Sequence, residues 1–267
     1  MSEMVDLRSH SNRLSEVLIA ASRRWEPVFE WLDVAASIDE VEVRTGMHEP
    51  TPMLCKQARK YEGKRSELLK GFVRDLTIFN FLWGSLESTV RQINPKGFNN
   101  ERAENKFNMR HNRPNMGIYF LRNNYDSQDP IEGYLPSLDE LKTVIKRVGD
   151  HEWTLEELEV HDYMGESGHG LFLVSQIRND FAHGSAGVPR PDSWRGSLSK
   201  SERQRADLVR TSSRTLLLTI QMMLIAVYRH GRADFVVDHL FRDEEGYTKE
   251  VNGIRALKTL HLERLST

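Results

Sequence analysis

The chain has a single cysteine, Cys55, in 267 residues. One thiol excludes an internal disulfide framework and any zinc site built from several cysteines. There is no excess of one charge either: 37 Lys and Arg stand against 39 Asp and Glu, for a formal net charge of -2. The molecule is therefore no polycation, and any contact with nucleic acid has to come from a local basic patch. Long apolar runs are also missing. The closest approach, Leu216 to Tyr228, is broken by Thr219 and Gln221 and falls short of the ~20 residues a spanning helix needs. The opening Met1-Ser2-Glu3-Met4-Val5-Asp6 is acidic and polar, unlike the basic start of a signal peptide. These absences lead to the expectation of a soluble, cytoplasmic protein with no membrane partner. Strand signals are sparse, and neither an internal repeat nor a low-complexity tract is found.

Apolar residues at helical spacing are what the sequence holds in quantity, and they point to an all-α fold. Leu14, Val17, Leu18 and Ala21 open a helical stretch to Ile38 that Pro27 is expected to kink or split. Lys64 to Ile93 is the clearest long helix: Leu69, Phe72, Leu76, Phe79, Trp83, Leu86 and Val90 recur at steps of three and four. Pro95 and Gly97 mark its end. Ser137-Leu138-Asp139-Glu140 reads as a capping box opening a helix to about Val148, and Thr154-Leu155-Glu156-Glu157 as a weaker second one. A helix from about Gly168 to His183 is stopped by Gly184, Gly187 and Pro189, and a last one runs from about Lys200 to Tyr228. Asn94 to Pro136, rich in Asn, Pro and Gly, reads as a long connection, either functional or mobile. In the tail, Phe235-Val236-Val237 and Leu257 to Leu262 fit a short hairpin around Glu245-Gly246 or further helix. The expected division is an N-terminal helical extension over 1–60, a helical domain over 61–230 carrying the long basic loop 94–136, and a small C-terminal appendage over 231–267.

Charge is unevenly placed. Glu26 to Glu49 holds seven carboxylates against Arg44 alone. Arg91 to Arg122 holds seven Lys and Arg against Glu101 and Glu104, and Arg190 to Arg214 again seven against Asp192, Glu202 and Asp207. Two such basic stretches can frame a phosphate path, with Phe107, Tyr119, Phe120 and Trp194 available to stack on bases. Arg110 and Arg113 in the first, and Arg190 and Arg195 in the second, are the candidates to hold RNA. The plainer reading is solvated loops and a charged helix face.

The chemistry is concentrated in Gln176-Ile177-Arg178-Asn179-Asp180-Phe181-Ala182-His183-Gly184. A guanidinium grips a phosphate through a planar fork of donors, and an imidazole moves a proton near neutral pH. At ~100° per residue, Arg178 falls within roughly 60° of Leu171, Val174, Phe181 and Ala182. An arginine in an apolar stripe needs an anion, a carboxylate partner or a subunit interface. Asn179 and His183, four apart, share a face near the helix end, where Asn179 can orient the imidazole. The structural alternatives are a salt bridge from Arg178 to Glu87 and a helix C-terminal cation at His183. A second loosely spaced pair, Arg232 and His239, lacks this setting.

Arg178-Asn179-Asp180-Phe181-Ala182-His183 resembles the R-N-x-x-x-H form of the motif that marks the HEPN superfamily (higher eukaryotes and prokaryotes nucleotide-binding). The surroundings agree: Phe79-Asn80-Phe81-Leu82-Trp83-Gly84-Ser85-Leu86-Glu87 on a long earlier helix, the motif closing a following helix, and a long apolar helix after it. The similarity spans about Lys64 to His230. It implies a HEPN-like helical bundle acting as a metal-independent endoribonuclease, in the manner of family toxins and antiviral effectors, with no cofactor. His183 would act on the ribose 2′-OH or the leaving 5′-oxygen as general base or acid. Arg178 would hold the scissile phosphate and stabilise its developing charge, and Asn179 would orient the site. Glu87 and Asp180 would be supporting residues. The implied product is a 2′,3′-cyclic phosphate. Two motif helices usually meet across a homodimer in this family, so the groove would be composite. Expected partners are RNA and a second copy, and the resemblance admits an antitoxin or regulatory partner. Some members are inactive, so a helical module binding RNA or a protein is the alternative. A third is a regulatory subunit in which Arg178 and His183 only build the dimer interface. Some family toxins carry a modified tyrosine two residues after the histidine; Ser185 stands there, so that control is not implied.

Elsewhere the signals are weak. His151, His161 and His169, with Glu156, Glu157, Glu159 and Asp162, fit no compact ligand spacing, and no metal site is expected. Gly165, Gly168 and Gly170 lack the strand and the Gly-Lys-Ser/Thr of a phosphate loop, and Ser185 lacks the spacing of a nucleophile elbow. Cys55 reads as a plain thiol, and Met222 and Met223 as core.

Overall fold

The computed structural model describes residues 3–95, 112–125, 129–148, 158–191, 200–230, 235–237 and 250–263. Over these residues the fold is all-α, with one two-stranded antiparallel ribbon. The Asp6 carboxylate accepts from the N–H groups of Arg8 and Ser9 and opens α1 (Leu7–Ala21). Ser22 is extended and ends it; a 3-10 turn (Arg23–Trp25) leads into α2 (Glu26–Ser37). The stretch is split as Pro27 predicts, but the break falls ahead of the proline. Pro27 sits in the first turn of α2, where a missing N–H costs no hydrogen bond.

After a single turn, α3 (Thr51–Leu54), comes α4 (Lys56–Ile93), which starts earlier than expected and ends where the sequence says it should. Asn94 closes it in the left-handed region (φ 45°) while its N–H still reaches Val90. The long connection over 94–136 needs correction, because it contains a helix, α5 (Arg113–Asn124). The Asn and Pro that resemble loop chemistry are its start: Asn112 accepts from the N–H of Asn115, and Pro114 lies in the first turn. A second correction concerns Ser137. The next helix, α6 (Tyr134–Val148), begins before it and runs through Pro136, which again falls where no donor is required. Ser137 is buried inside the helix and caps nothing. Thr154 to Glu157, read as the other capping box, lie outside the described residues.

The motif helix α7 spans Gly165–His183, and the last long helix α8 spans Lys200–His230. Both readings of the tail hold in part: β1 (Val236–Val237) pairs with β2 (Val251–Asn252), and α9 (Gly253–Thr259) follows at once. Every residue from Thr215 to Ala226 is buried, because α8 is the central helix, touched by α1, α4, α5, α6, α7 and α9. Met222 and Met223 are core, as read. Close approach requires Gly117 on α5: a Cβ there would meet Met223 Cε at 2.7 Å and Leu171 Cδ2 at 2.8 Å. Among the described residues no helix is long and apolar enough to cross a membrane.

A buried polar chain crosses this core. Arg214 donates to His10 Nδ1 (2.9 Å), His10 Nε2 meets Gln221 Oε1 (2.8 Å), and Gln221 Nε2 donates to His261 Nδ1 (2.9 Å) and to the Leu257 carbonyl. His261 Nε2 then donates to the Glu132 carbonyl (2.7 Å). Donor faces acceptor at every link only if both imidazoles are neutral and protonated on Nε2. Burial first, with Arg214 adding to it, lowers the His261 pKa to about 4 and that of His10 well below its ordinary 6.5. The unfolded chain therefore binds more protons than the native one between these values. Stability is complete above pH 6.5 and falls as pH drops towards about 4. His261 alone contributes about 3 kcal/mol to that loss. Urea unfolding at pH 7 and pH 4.5 measures it; equal midpoints would contradict the arrangement.

Candidate functional site

Arg178 lies five positions from the end of α7, and its guanidinium sits over the ring of Trp83 on α4, Cζ 5.6 Å from the ring centroid. One turn on, Phe181 packs against Phe72 of α4 with centroids 6.0 Å apart, holding the helix end to the bundle. The expected salt bridge to Glu87 is not formed. Trp83 takes that carboxylate instead, its Nε1–H donating to Glu87 Oε1 at 2.8 Å. Among the described residues no carboxylate lies within ion-pair distance of Arg178.

Both side chains face a groove of about 890 Å³ between α4, α5 and α7. Its polar wall combines Arg178 and Asn179 of α7 with Arg113 and Asn115 of α5. Asn94, which ends α4, and Asn112, which caps α5, also line it. Two arginines and one carboxylate among the lining residues give it a positive balance. Of the four arginines read as RNA contacts, Arg113 is in the groove. Arg190 is exposed beyond α7 and does not line it; Arg110 and Arg195 lie outside the described residues.

His183 stands apart. It is exposed in the last turn of α7, ahead of Gly184 in the left-handed region (φ 73°), and is not part of the groove lining. Five helical steps from Arg178 put it about 140° further round the axis, so the two side chains of one chain face different directions. One expectation needs correction here. Asn179 makes no hydrogen bond to His183: both are short, exposed side chains with Cβ atoms ~5–6 Å apart, and the Asn179 amide lines the groove. His183 does occupy the last turn of α7, the place of a helix C-terminal cation. That end is closed by the backbone, Gly184 N–H donating to Phe181 and Ala186 N–H to Asp180. Asp180, expected as a supporting residue, contributes its carbonyl to this closure.

Among the described residues no three His, Cys, Asp or Glu side chains are placed to hold a metal ion. His169 is buried in α7, its pKa lowered to about 4 by burial and by the nearby Lys142 charge. His161 stacks on Tyr163. His151, Glu156 and Glu157 lie outside the described residues. Sequence reasoning missed Trp83 and the asparagines of α5 as site residues. Trp83 and Glu87 share a face of α4, a signal that was present; Asn112 and Asn115 were hidden because α5 itself was not read. No family model, curated protein or solved structure matches the chain.

Proposed function

We propose that the chain is an RNA-binding protein of the HEPN kind that cleaves RNA without a metal, as a toxin or antiviral effector would. The observation that carries this reading is Arg178: a half-buried guanidinium, resting on an indole and unpaired with any described carboxylate, in a positive groove lined by amides. Such a group seeks an anion, and a phosphodiester offers it two oxygens for a bidentate grip. Arg113 supplies a second positive charge for a neighbouring phosphate, and the amides of Asn112, Asn115 and Asn179 offer donors and acceptors to base edges or ribose.

Because His183 faces away from Arg178 within one chain, cleavage requires a second copy, whose His183 reaches the phosphate held by the first. That imidazole takes the 2′-OH proton, the 2′-oxygen forms its bond to phosphorus as the P–O5′ bond breaks, the 5′-oxygen takes a proton from water, and the imidazolium returns its own to solvent. The products are a 2′,3′-cyclic phosphate and a 5′-hydroxyl. The same divergence of Arg178 and His183 favours the second reading, a module that binds RNA in the groove and cuts nothing.

The test is purified protein incubated with mixed cellular RNA in EDTA, beside His183→Ala. Cleavage with cyclic-phosphate ends by the unmodified chain, reduced at least about a hundredfold in the variant, is the expected result. Intact RNA in both, with salt-sensitive binding in both, selects the binding module.

A further inference from the structure

Arg178 and Glu87 face one groove with opposite charges, yet one indole separates them. The edge of Trp83 donates its N–H to Glu87 (2.8 Å), and its face carries the Arg178 guanidinium (5.6 Å). Trp83 is buried and packs against Phe79 one turn earlier, centroids 6.5 Å apart, so its orientation is fixed by the core. An indole has a single donor, and here it is committed to an acid. Glu87 is exposed, so its carboxylate has nothing else to restrain it among the described residues. A carboxylate released beside an arginine pairs with it, because charge-assisted bidentate contacts are stronger than a cation–π contact. A guanidinium paired in that way has its fork occupied.

We infer that Trp83 is a positioning residue that keeps Arg178 open for a phosphate by restraining Glu87, an internal competitor for the same guanidinium. The inference rests on the reading that Arg178 binds phosphate. Glu87 opposes that binding twice, by repelling the incoming anion and by competing for its partner. The indole hydrogen bond suppresses the second effect. The site thus contains its own brake, and Trp83 holds it off.

The experiment compares the unmodified chain with Trp83→Phe, Glu87→Gln and the double variant. Affinity for a fluorescent single-stranded RNA of about ten nucleotides is read at fixed ionic strength. Phenylalanine keeps an aromatic face under the guanidinium and removes the donor. Trp83→Phe is expected to weaken binding about tenfold, a charge-assisted contact's worth. Glu87→Gln binds at least as tightly as the unmodified chain, and adding it to Trp83→Phe restores affinity to within about threefold. A second readout needs no RNA: chemical unfolding of a double-mutant cycle between Glu87→Gln and Arg178→Gln. The coupling is near zero with Trp83 present and reaches at least about threefold in the unfolding constant once Trp83→Phe is introduced. A double variant as weak as Trp83→Phe alone overturns the inference, as does a coupling that Trp83→Phe leaves unchanged. RNA bound by none of the chains, with the coupling appearing as expected, upholds the role of Trp83 and removes RNA as the ligand.

Discussion

If the proposed nuclease reading holds, Arg178→Ala is expected to lower the rate of RNA cleavage by about a thousandfold or more, with the fold intact. The side chain is half-buried and its described contact is the ring of Trp83, so its removal costs the structure only about 0.5–1 kcal/mol. The transition state loses far more, because charge gathers on the phosphate oxygens as the 2′-oxygen attacks. Arg178→Lys should recover little: an ammonium keeps the charge but presents no planar fork and stacks less well on the indole. Single-turnover cleavage in EDTA, with circular dichroism as the control for folding, measures both variants. If the chain only binds RNA, Arg178→Ala instead weakens affinity and lowers the slope of log affinity against log salt by about one. An Arg178→Ala protein with unaltered cleavage and unaltered salt slope would end the assignment of this groove.

Gln221→Leu carries the largest expected loss of stability, about 3–5 kcal/mol. Its side chain is fully buried on α8 and holds three partners at once, His10 on α1, His261 beyond α9 and the Leu257 carbonyl within α9. Leucine is close in size, so the effect is not that of a cavity. It strands the His10 N–H, the His261 ring nitrogen and a backbone carbonyl away from water, each costing about 1–3 kcal/mol. Against a total stability of about 5–15 kcal/mol, the variant should unfold at much lower urea or fail to accumulate. Met222→Leu, equally buried one position along, supplies the comparison at under about 1.5 kcal/mol. A Gln221→Leu shift no larger than that would mean the polar chain contributes nothing net.

The all-α class and the long helices were legible because an amphipathic helix repeats the same code over many turns. Leu69 to Val90 repeats it for six of them; Leu69, Phe72, Phe79, Trp83, Leu86 and Val90 are buried and Leu76 is half-buried against them. Helix starts were harder to read. Asn112, Pro114, Pro136 and Ser137 are residues whose local preference suits loops and first turns alike, and tertiary packing decides between the two. In the site, Arg178 could be found because a charge in an apolar stripe demands a reason. Its partner could not: Glu87 and Trp83 sit equally well beside it on a helical wheel, and only the crossing of α7 over α4 chooses the indole. His10 lies 211 residues from Gln221, and Gln221 40 from His261, so nothing local announces that they meet.

The backbone near the two ends of the described chain is joined as if by a short seam. Val5 donates to the His261 carbonyl, Glu263 donates to that of Glu3, and Arg13 reaches the carbonyls of Leu260 and Leu262. Arg214 adds a contact to the Val5 carbonyl, and Gln221 adds one to the His261 ring. Residues 3–5 and 260–263 hold one another, so neither segment can leave without the other losing its partners. Among the described residues the start of α1 and the stretch after α9 are thereby coupled, and both are expected to open together with the core around Gln221 rather than before it.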